Sequence, residues 1–404
     1  MSRTCVVAAL VATATVFGLV TPGVAAADTG AGAGPRVEAG WPGSPLPAVG
    51  RIVSAAPLTG AAALPIAAQN WKILYTSSTQ NRKPTVVSGT VAIPRGRPPA
   101  GGWPVVSWAH GTTGVADVCA PSNDTVTGPA HDYLVLMDET LDKWVARGFV
   151  VVQTDYQGLG TPGPHPYIIG RSEAYGVIDI VRAARQLNPH VGRKWVVIGH
   201  SQGGQAALFT DKLARARAPE LDFRGAVAIA PGSFFSTFAA GILSGNPIYA
   251  AAIAFLPLVM TGAAAADPAV QPEKLLTPDA LHLYQLAQTT DCIAQLRVDA
   301  AAIPVTDVFV PNADTSAMDS VLARNEPATL HLHAPVLVVQ GSADVTVAKP
   351  QTDAVVAALC ANGATLEYRV YPGADHRGSV AASLTDVENW VGQRLTGVRA
   401  PSTC

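Results

Sequence analysis

The chain has 404 residues, 14% of them charged, and a formal net charge of −2 at pH 7. This length is sufficient for one large domain with an insertion. Without a basic excess, the chain lacks the field that would hold nucleic acid. The 49% of hydrophobic residues comes largely from alanine, so it does not indicate a membrane protein.

The first 27 residues have the three parts of a signal peptide. Arg3 gives a short positive start, residues 5–20 form an uncharged apolar run, and Ala25-Ala26-Ala27 is a typical cleavage site. The apolar run is too short for a membrane anchor, which is the alternative interpretation. We therefore expect cleavage near Ala27 and a secreted, extracellular protein.

Four cysteines remain after cleavage, and an even number in an oxidising compartment suggests two disulfides with three possible pairings. We favour Cys119 with Cys292, which would tie an early loop to a later insertion, and Cys360 with Cys404, which would hold the C-terminal tail. Buried free thiols are the alternative. No metal site is expected, because C-x-x-C and H-x-x-H spacings are absent from the sequence.

The elements that follow predict a mostly parallel sheet flanked by helices. Residues 71–76 and 85–93 alternate and indicate antiparallel strands at a sheet edge. Buried strands are predicted at residues 103–109, 149–154, 195–198, 223–230, 335–339 and 365–371, and helices at residues 138–147, 172–187, 205–215, 349–360 and 379–395.

The motif at the centre of the chain is Gly199-His200-Ser201-Gln202-Gly203, a match to G-x-S-x-G between a predicted strand and a predicted helix. Such a sharp turn strains the serine backbone and needs small neighbours. It lifts the Ser201 hydroxyl above the sheet and puts the Gln202 N–H at a helix N-terminus, where negative charge is favoured. An ordinary turn with a capping serine is the alternative.

Residues 232–326 interrupt the alternation of strands and helices with apolar, aromatic and proline-rich segments. We expect them to be mostly helical. An insertion at this point would lie over Ser201 as a cap, with an apolar inner face suited to an acyl chain. The alternative is that these helices only pack around a small core of their own. The chain is thus predicted to consist of a signal peptide (1–27), a first part of the core (28–231), the cap (232–326) and a second part of the core (327–404).

Two late loops carry the partners of Ser201. Asp344 and His376 each follow a predicted strand, and the order Ser, Asp, His is that of an α/β-hydrolase. In this interpretation Ser201 attacks an acyl carbon, His376 transfers the proton, and Asp344 fixes the imidazole tautomer. The oxyanion donors would be the backbone N–H groups of Gln202 and of Thr112, in the loop that begins His110-Gly111.

Other polar residues are rivals for these roles. Asp155 precedes the serine, against the chain order of the fold, and Asp375 lies beside the histidine, where its carboxylate would point elsewhere. We therefore interpret Asp155 as structural and Asp375 as a weaker candidate than Asp344. The histidines that precede the acid loop are interpreted as structural: His200, His331 and His333.

The chain resembles the secretory lipase family, the actinobacterial and fungal relatives of yeast lipase A. The matching motifs are His110-Gly-Thr-Thr-Gly with Asp117 and Cys119-Ala-Pro-Ser, Asp155-Tyr-Gln-Gly-Leu-Gly, Gly199-His-Ser-Gln-Gly-Gly, Gly341-Ser-Ala-Asp344 and Asp375-His376. The resemblance implies an α/β-hydrolase with a helical cap, acting on triacylglycerols and simpler esters without a cofactor. It also implies the two disulfides favoured above. The yeast member has an acidic residue where Thr112 stands, which leaves Thr113 and Asp117 as alternative donors.

Three functions are compatible with these motifs. The first is a secreted triacylglycerol lipase or carboxylesterase, whose partner is a lipid or small ester and which contacts a lipid surface transiently. The second is a serine peptidase or acyltransferase on the same triad, although the cap has no charged cluster to bind a peptide terminus. The third is a lipid-binding protein without activity, which would not need all three triad members.

Overall fold

The computed structural model describes Met1 and residues 48–404. Apart from Met1, the predicted signal peptide lies outside the described residues. From residue 48 onward the chain is built on one nine-stranded sheet with the strand order β1-β2-β3-β5-β4-β6-β7-β8-β9. The strands are β1 (Ile52–Pro57), β2 (Gln69–Ser78), β3 (Pro84–Ile93), β4 (Trp103–Ala109), β5 (Val150–Thr154), β6 (Val191–His200), β7 (Asp222–Ile229), β8 (Val336–Gly341) and β9 (Leu366–Tyr371).

The sheet is antiparallel at one edge and parallel elsewhere. β1, β2, β3 and β5 pair antiparallel in turn, and β5, β4, β6, β7, β8 and β9 pair parallel. This agrees with the predicted α/β class and with the predicted antiparallel edge. The edge strand β1 was not predicted, because its half-buried residues alternate only weakly. The carboxyl ends of the parallel strands meet at one side of the sheet, where sites of such folds are built.

Helices cover both faces of the sheet. The helices of the core are α1 (His131–Ala146), α2 (Gly170–Leu187), α3 (Gln202–Arg217), α10 (Lys349–Ala361) and α11 (Gly378–Leu395). One buried cluster joins the sheet to α2, α3 and α10, and a second joins its other face to α1 and α11. The helix predicted at 138–147 begins seven residues earlier, at His131. Its N-cap is Ala130, which gives no side-chain capping signal to read.

The segment between β7 and β8 is helical, as expected. It contains α4 (Phe238–Leu243), α5 (Leu256–Ala266), α6 (Pro272–Leu275), α7 (Pro278–Thr289), α8 (Ile293–Asp299) and α9 (Ser316–Ala323), with short 3-10 turns between them. A third apolar cluster lies mainly among these helices and also includes Tyr167, Ile168 and Ile169 from the loop after β5. The inserted helices are therefore packed onto the core as well as onto each other.

One helical stretch of the insertion, Pro247–Ala266, is long and apolar enough to cross a membrane by length and composition, with a mean hydropathy of 1.9. In this structure its second part, α5, packs inside the protein. The residues from Leu256 to Ala263 are all buried, and α5 contacts α7 and α9. The apolar composition of α5 is therefore that of a helix buried in the protein core.

Two disulfides join distant parts of the chain. Cys119 is bonded to Cys292 across 173 residues, and Cys360 is bonded to Cys404 across 44 residues. The first lies beside the His110 loop, since Gly114 bridges to Cys292 and the Ile293 N–H donates to the Thr113 carbonyl at 2.8 Å. This disulfide therefore ties that loop to the start of α8.

Candidate active site

Ser201 lies in a strained turn between β6 and α3. Its backbone has φ 59° and ψ −117°, a conformation that L-residues rarely adopt. The turn also needs the two glycines of the motif, because a Cβ on Gly199 would overlap the Gly203 carbonyl and a Cβ on Gly203 would overlap the Ala109 carbonyl. The side chain of Ser201 is thereby presented at the carboxyl end of the parallel strands, although the residue is only 9% exposed.

Gln202 is the first residue of α3, so its backbone N–H has no partner within the helix. Its side chain is buried and held on two sides. The Nε2 group donates to Glu173 Oε1 at 2.8 Å and lies 3.1 Å from His165 Nε2. Since His165 Nδ1 faces the Gln157 carbonyl at 2.8 Å and must donate to it, His165 Nε2 accepts. These contacts fix the start of α3 immediately after the serine.

Asp344 and His376 form a hydrogen-bonded pair beside this turn. His376 Nδ1 lies 2.7 Å from Asp344 Oδ2, and Asp344 Oδ1 accepts the N–H groups of Thr346 and Val347 at 2.8 and 2.9 Å. Burial acts to raise the pKa of Asp344, but the hydrogen bond and charge of His376 and the two N–H groups hold that pKa below its usual value. Asp344 is therefore suited to remain ionised and to orient the imidazole.

His376 lies against the residue that precedes Ser201. Its ring centroid is 4.6 Å from that of His200, and its carbonyl accepts from His200 Nε2 at 2.9 Å. Within the described chain Ser201 Oγ makes no hydrogen bond, and serine-to-histidine bonds often tighten only when substrate binds. A hydroxyl, an imidazole and a carboxylate in this order can carry out nucleophilic attack on an acyl carbon.

The His110 loop borders the same site. The Thr112 hydroxyl is hydrogen-bonded to the Tyr167 hydroxyl at 2.7 Å, and the Gly111 N–H donates to Tyr133 Oη at 2.8 Å. Of the two alternative donors, Asp117 accepts the Gly160 N–H at 2.9 Å, while Thr113 is buried with its carbonyl bonded to Ile293. Within the part of the chain that the structure describes, neither the Thr112 N–H nor the Thr113 N–H has an acceptor, so either could bind an anionic oxygen.

The two other candidate acids accept hydrogen bonds from groups other than His376. Asp155 is buried and accepts from Ser88 Oγ at 2.6 Å and from the N–H and hydroxyl of Ser122. Asp375 accepts the Gly378 N–H at 2.6 Å at the start of α11. His331 and His333 lie away from these contacts, with His331 near the Asn362 carbonyl and the His333 N–H on Asp211.

Several polar residues around this site were not among the predicted site residues. Tyr133, His165, Tyr167 and Glu173 come from α1, the loop after β5 and α2, and they meet only in the folded chain. No short motif marks them, although each is a buried polar residue that needs a partner. Among residues 48–404 no group of three or more His, Cys, Asp or Glu side chains is arranged to hold a metal ion.

The sheet order and the residues at its carboxyl edge define an α/β-hydrolase. The chain belongs to the secretory lipase family, whose model matches residues 130–402. It is similar to Lipase A of Moesziomyces aphidis, with 26% identity over 365 residues that cover 83% of this chain and 74% of that protein. The family and its named relatives establish a carboxylic ester hydrolase of the lipase type.

Solved structures share the fold. Candida antarctica lipase A in its closed state has a TM-score of 0.73 at 20% identity, covering 88% of this chain and 84% of that one. The rice cell wall degrading esterase LipA from Xanthomonas oryzae has a TM-score of 0.69 at 20% identity, covering 87% of this chain and all of that one. A putative hydrolase from Legionella pneumophila has a TM-score of 0.70 at 18% identity, covering 86% and 99%.

Proposed function

We propose that this protein is a secreted triacylglycerol lipase that uses Ser201, His376 and Asp344 as its catalytic triad. The observation that carries the proposal is the hydrogen-bonded pair of Asp344 and His376 beside a serine in a strained turn. A buried aspartate bonded to an imidazole, at the same end of the parallel strands as a serine in a strained turn, is the arrangement that a serine hydrolase needs.

In the proposed mechanism Ser201 Oγ attacks the ester carbonyl while His376 Nε2 takes its proton. Asp344 accepts the Nδ1–H of His376 and stabilises the imidazolium that forms. The protonated His376 then donates to the departing alcohol, which leaves an acyl group on Ser201. Water attacks this acyl-enzyme, with His376 as the base, and releases the carboxylic acid.

The negative oxygen formed at each addition step needs preorganised donors. We assign this role to the backbone N–H groups of Gln202 and Thr112. The first is at the N-terminus of α3, where the helix dipole favours negative charge, and the second lies in a loop fixed by Tyr133 and Tyr167. No metal or cofactor takes part in these steps.

The inserted helices support a lipid substrate. We propose residues 232–326 as a cap between core segments 28–231 and 327–404. It exposes apolar side chains at its surface, with Leu243, Ile248 and Tyr249 being 45%, 77% and 38% exposed. These side chains would make transient contact with a lipid surface. Secretion is supported by the predicted signal peptide and by the two disulfides.

The test is a series of p-nitrophenyl esters of increasing acyl length, assayed with the mature protein and with Ser201→Ala. A rate optimum at medium or long chains that is lost in the variant supports the lipase. An optimum at the shortest chains, also lost in the variant, would make the protein a small-ester carboxylesterase. A Ser201→Ala variant with wild-type rates would refute the proposed nucleophile. If the wild-type protein hydrolysed none of the esters, the peptidase or acyltransferase would be favoured.

A further inference from the structure

Two buried residues, Tyr133 of α1 and His200 of β6, connect the three loops of the site. Tyr133 Oη accepts the Gly111 N–H at 2.8 Å and lies 3.0 Å from His200 Nδ1. His200 Nε2 lies 2.9 Å from the carbonyl oxygen of His376. A continuous chain of hydrogen bonds thus runs from the His110 loop, past the serine turn, to the loop of His376.

For a neutral His200 ring, only one set of proton positions satisfies this chain. A backbone N–H donates, so Tyr133 Oη accepts from Gly111 and its own hydrogen is free for His200 Nδ1. A carbonyl accepts, so His200 Nε2 carries the hydrogen that binds His376. His200 is therefore the neutral Nε2–H tautomer, and each group in the chain uses its donor and its acceptor once.

The packing around the pair is tight. Tyr133 is 4% exposed and His200 is 1% exposed, and their rings stack with centroids 5.9 Å apart. Gly111 has no room for a side chain, because a Cβ there would come within 2.5 Å of Tyr133 Oη and 3.0 Å of His200 Nδ1. The close approach of the two rings to the His110 loop therefore depends on a glycine at position 111.

We propose that Tyr133 and His200 are positioning residues of the hydrolase, which fix the Thr112 N–H and the His376 backbone relative to Ser201. This inference rests on the function proposed above. Neither residue has to touch substrate. Their effect is to hold the oxyanion loop and the catalytic base, which come from separate parts of the chain, in one geometry.

The charge state of His200 fits this role. Burial lowers the pKa of His200 to about 3, and the nearby His376 and Arg377 also lower it, while the His376 carbonyl and Asp344 act in the opposite direction. A neutral ring does not oppose the positive charge that His376 acquires during turnover. The His376 carbonyl also accepts from Ser379 Oγ of α11 at 2.8 Å, so this carbonyl is bound by both His200 and α11.

The kinetic test is Tyr133→Phe, which removes only the hydroxyl. We expect kcat on the best p-nitrophenyl ester to fall about tenfold, because small misplacements of catalytic groups are costly, with KM within about twofold. The matched control is Tyr75→Phe. Tyr75 is also buried, and its hydroxyl binds Thr154 and the Gly176 carbonyl away from the site. The control should lose stability and keep kcat. Equal kcat values for the two variants would overturn the proposal.

Variants of His200 separate positioning from packing. Gln can place a donor near the Nε2 position, whereas Asn can place its oxygen near the Nδ1 position and Leu does neither. We expect His200→Gln to keep kcat several-fold above His200→Leu at similar melting temperature, and His200→Asn to lie between them. Identical kcat for all three would contradict a role in holding His376.

A third measurement does not depend on turnover. In ¹⁵N NMR of the folded protein, His200 should carry its proton on Nε2, and the Tyr133→Phe variant should alter the Nδ1 signal. A proton on Nδ1 would break the chain and overturn the proposal even if the enzyme is active. If no ester is hydrolysed but the Nε2 proton and the Tyr133 effect are found, the proposed function fails, whereas the hydrogen-bonded link between the loops stands.

Discussion

At the scale of single residues, three carboxylates near the site differ in role because their partners differ. Asp344 faces His376, Asp155 faces the hydroxyls of Ser88 and Ser122, and Asp375 faces the Gly378 N–H. Chain order alone favoured Asp344 over Asp155, because the acid of this fold follows the serine in the chain. Its hydrogen bonds to backbone N–H groups were not readable from the sequence.

The difference between these acids predicts a difference between variants. Asp344→Asn should lower kcat by about 10³–10⁴-fold, because an amide favours the wrong imidazole tautomer. Asp375→Asn should leave kcat within about threefold, since the amide oxygen can still accept the Gly378 N–H. Steady-state rates on one ester measure both. A large loss in Asp375→Asn with a small loss in Asp344→Asn would show that Asp375, and not Asp344, is the acid of the triad.

Glu173 is another acid near the site, and its surroundings shift its pKa. Burial raises the pKa of Glu173 to about 8, although its bonds from Gln202 and the Ile168 N–H act to lower that pKa. From its ordinary value of 4.5 up to about 8, the folded protein holds a proton that the unfolded chain has lost. Raising the pH through this window therefore lowers the free energy of unfolding.

Glu173→Gln should remove this dependence. We expect the stability of the variant, relative to the wild type, to rise between about pH 5 and about pH 8.5 by up to about 4 kcal/mol, which a rise in relative melting temperature measures. The control is Glu139→Gln on the exposed face of α1, which should show no such trend. A constant difference between Glu173→Gln and wild type at all pH values would mean that Glu173 is ionised in the fold.

At the scale of elements, glycine positions determine how closely β6, α3 and β4 approach. The strand and helix on either side of Ser201 were predictable, because an apolar β-branched run precedes the motif and an alanine-rich run follows it. The start of α1 was not, since it lacks a capping side chain. Tyr133 was therefore assigned to no helix, and its place beside His200 depends on packing between distant elements.

Two glycine-to-alanine changes test the close approach. Gly203→Ala should prevent folding or lower stability by more than about 3 kcal/mol, because the new Cβ would overlap the Ala109 carbonyl. Gly392→Ala lies in α11 with open space around it and should raise stability by up to about 1 kcal/mol. Thermal unfolding of both variants measures this contrast. A well-folded Gly203→Ala would show that the strand and helix are not fixed by this glycine.

At the scale of the whole molecule, the two disulfides close loops of very different length. One spans 173 residues and joins the His110 loop to the inserted helices, and the other spans 44 residues and holds the C-terminal tail. The sequence allowed three pairings. The favoured pairing is the one that the structure contains, although spacing along the chain does not by itself exclude the other two.

The length of the closed loop predicts which disulfide contributes more to the free energy of unfolding. Replacing both cysteines of a pair by alanine should cost about 2–5 kcal/mol, and the 119–292 pair should cost about 1 kcal/mol more than the 360–404 pair. Denaturant unfolding of the two double variants tests this order. A larger loss for the 360–404 pair would indicate that local contacts of the tail outweigh chain entropy.

The most direct test of the central claim is labelling with a fluorophosphonate probe, followed by mapping of the labelled peptide. We predict one label, on Ser201, in the wild-type protein, with labelling slowed by at least about a hundredfold in His376→Ala and abolished in Ser201→Ala. A labelled residue other than Ser201, or equal labelling in His376→Ala, would contradict the assignment of Ser201, His376 and Asp344 as the catalytic triad.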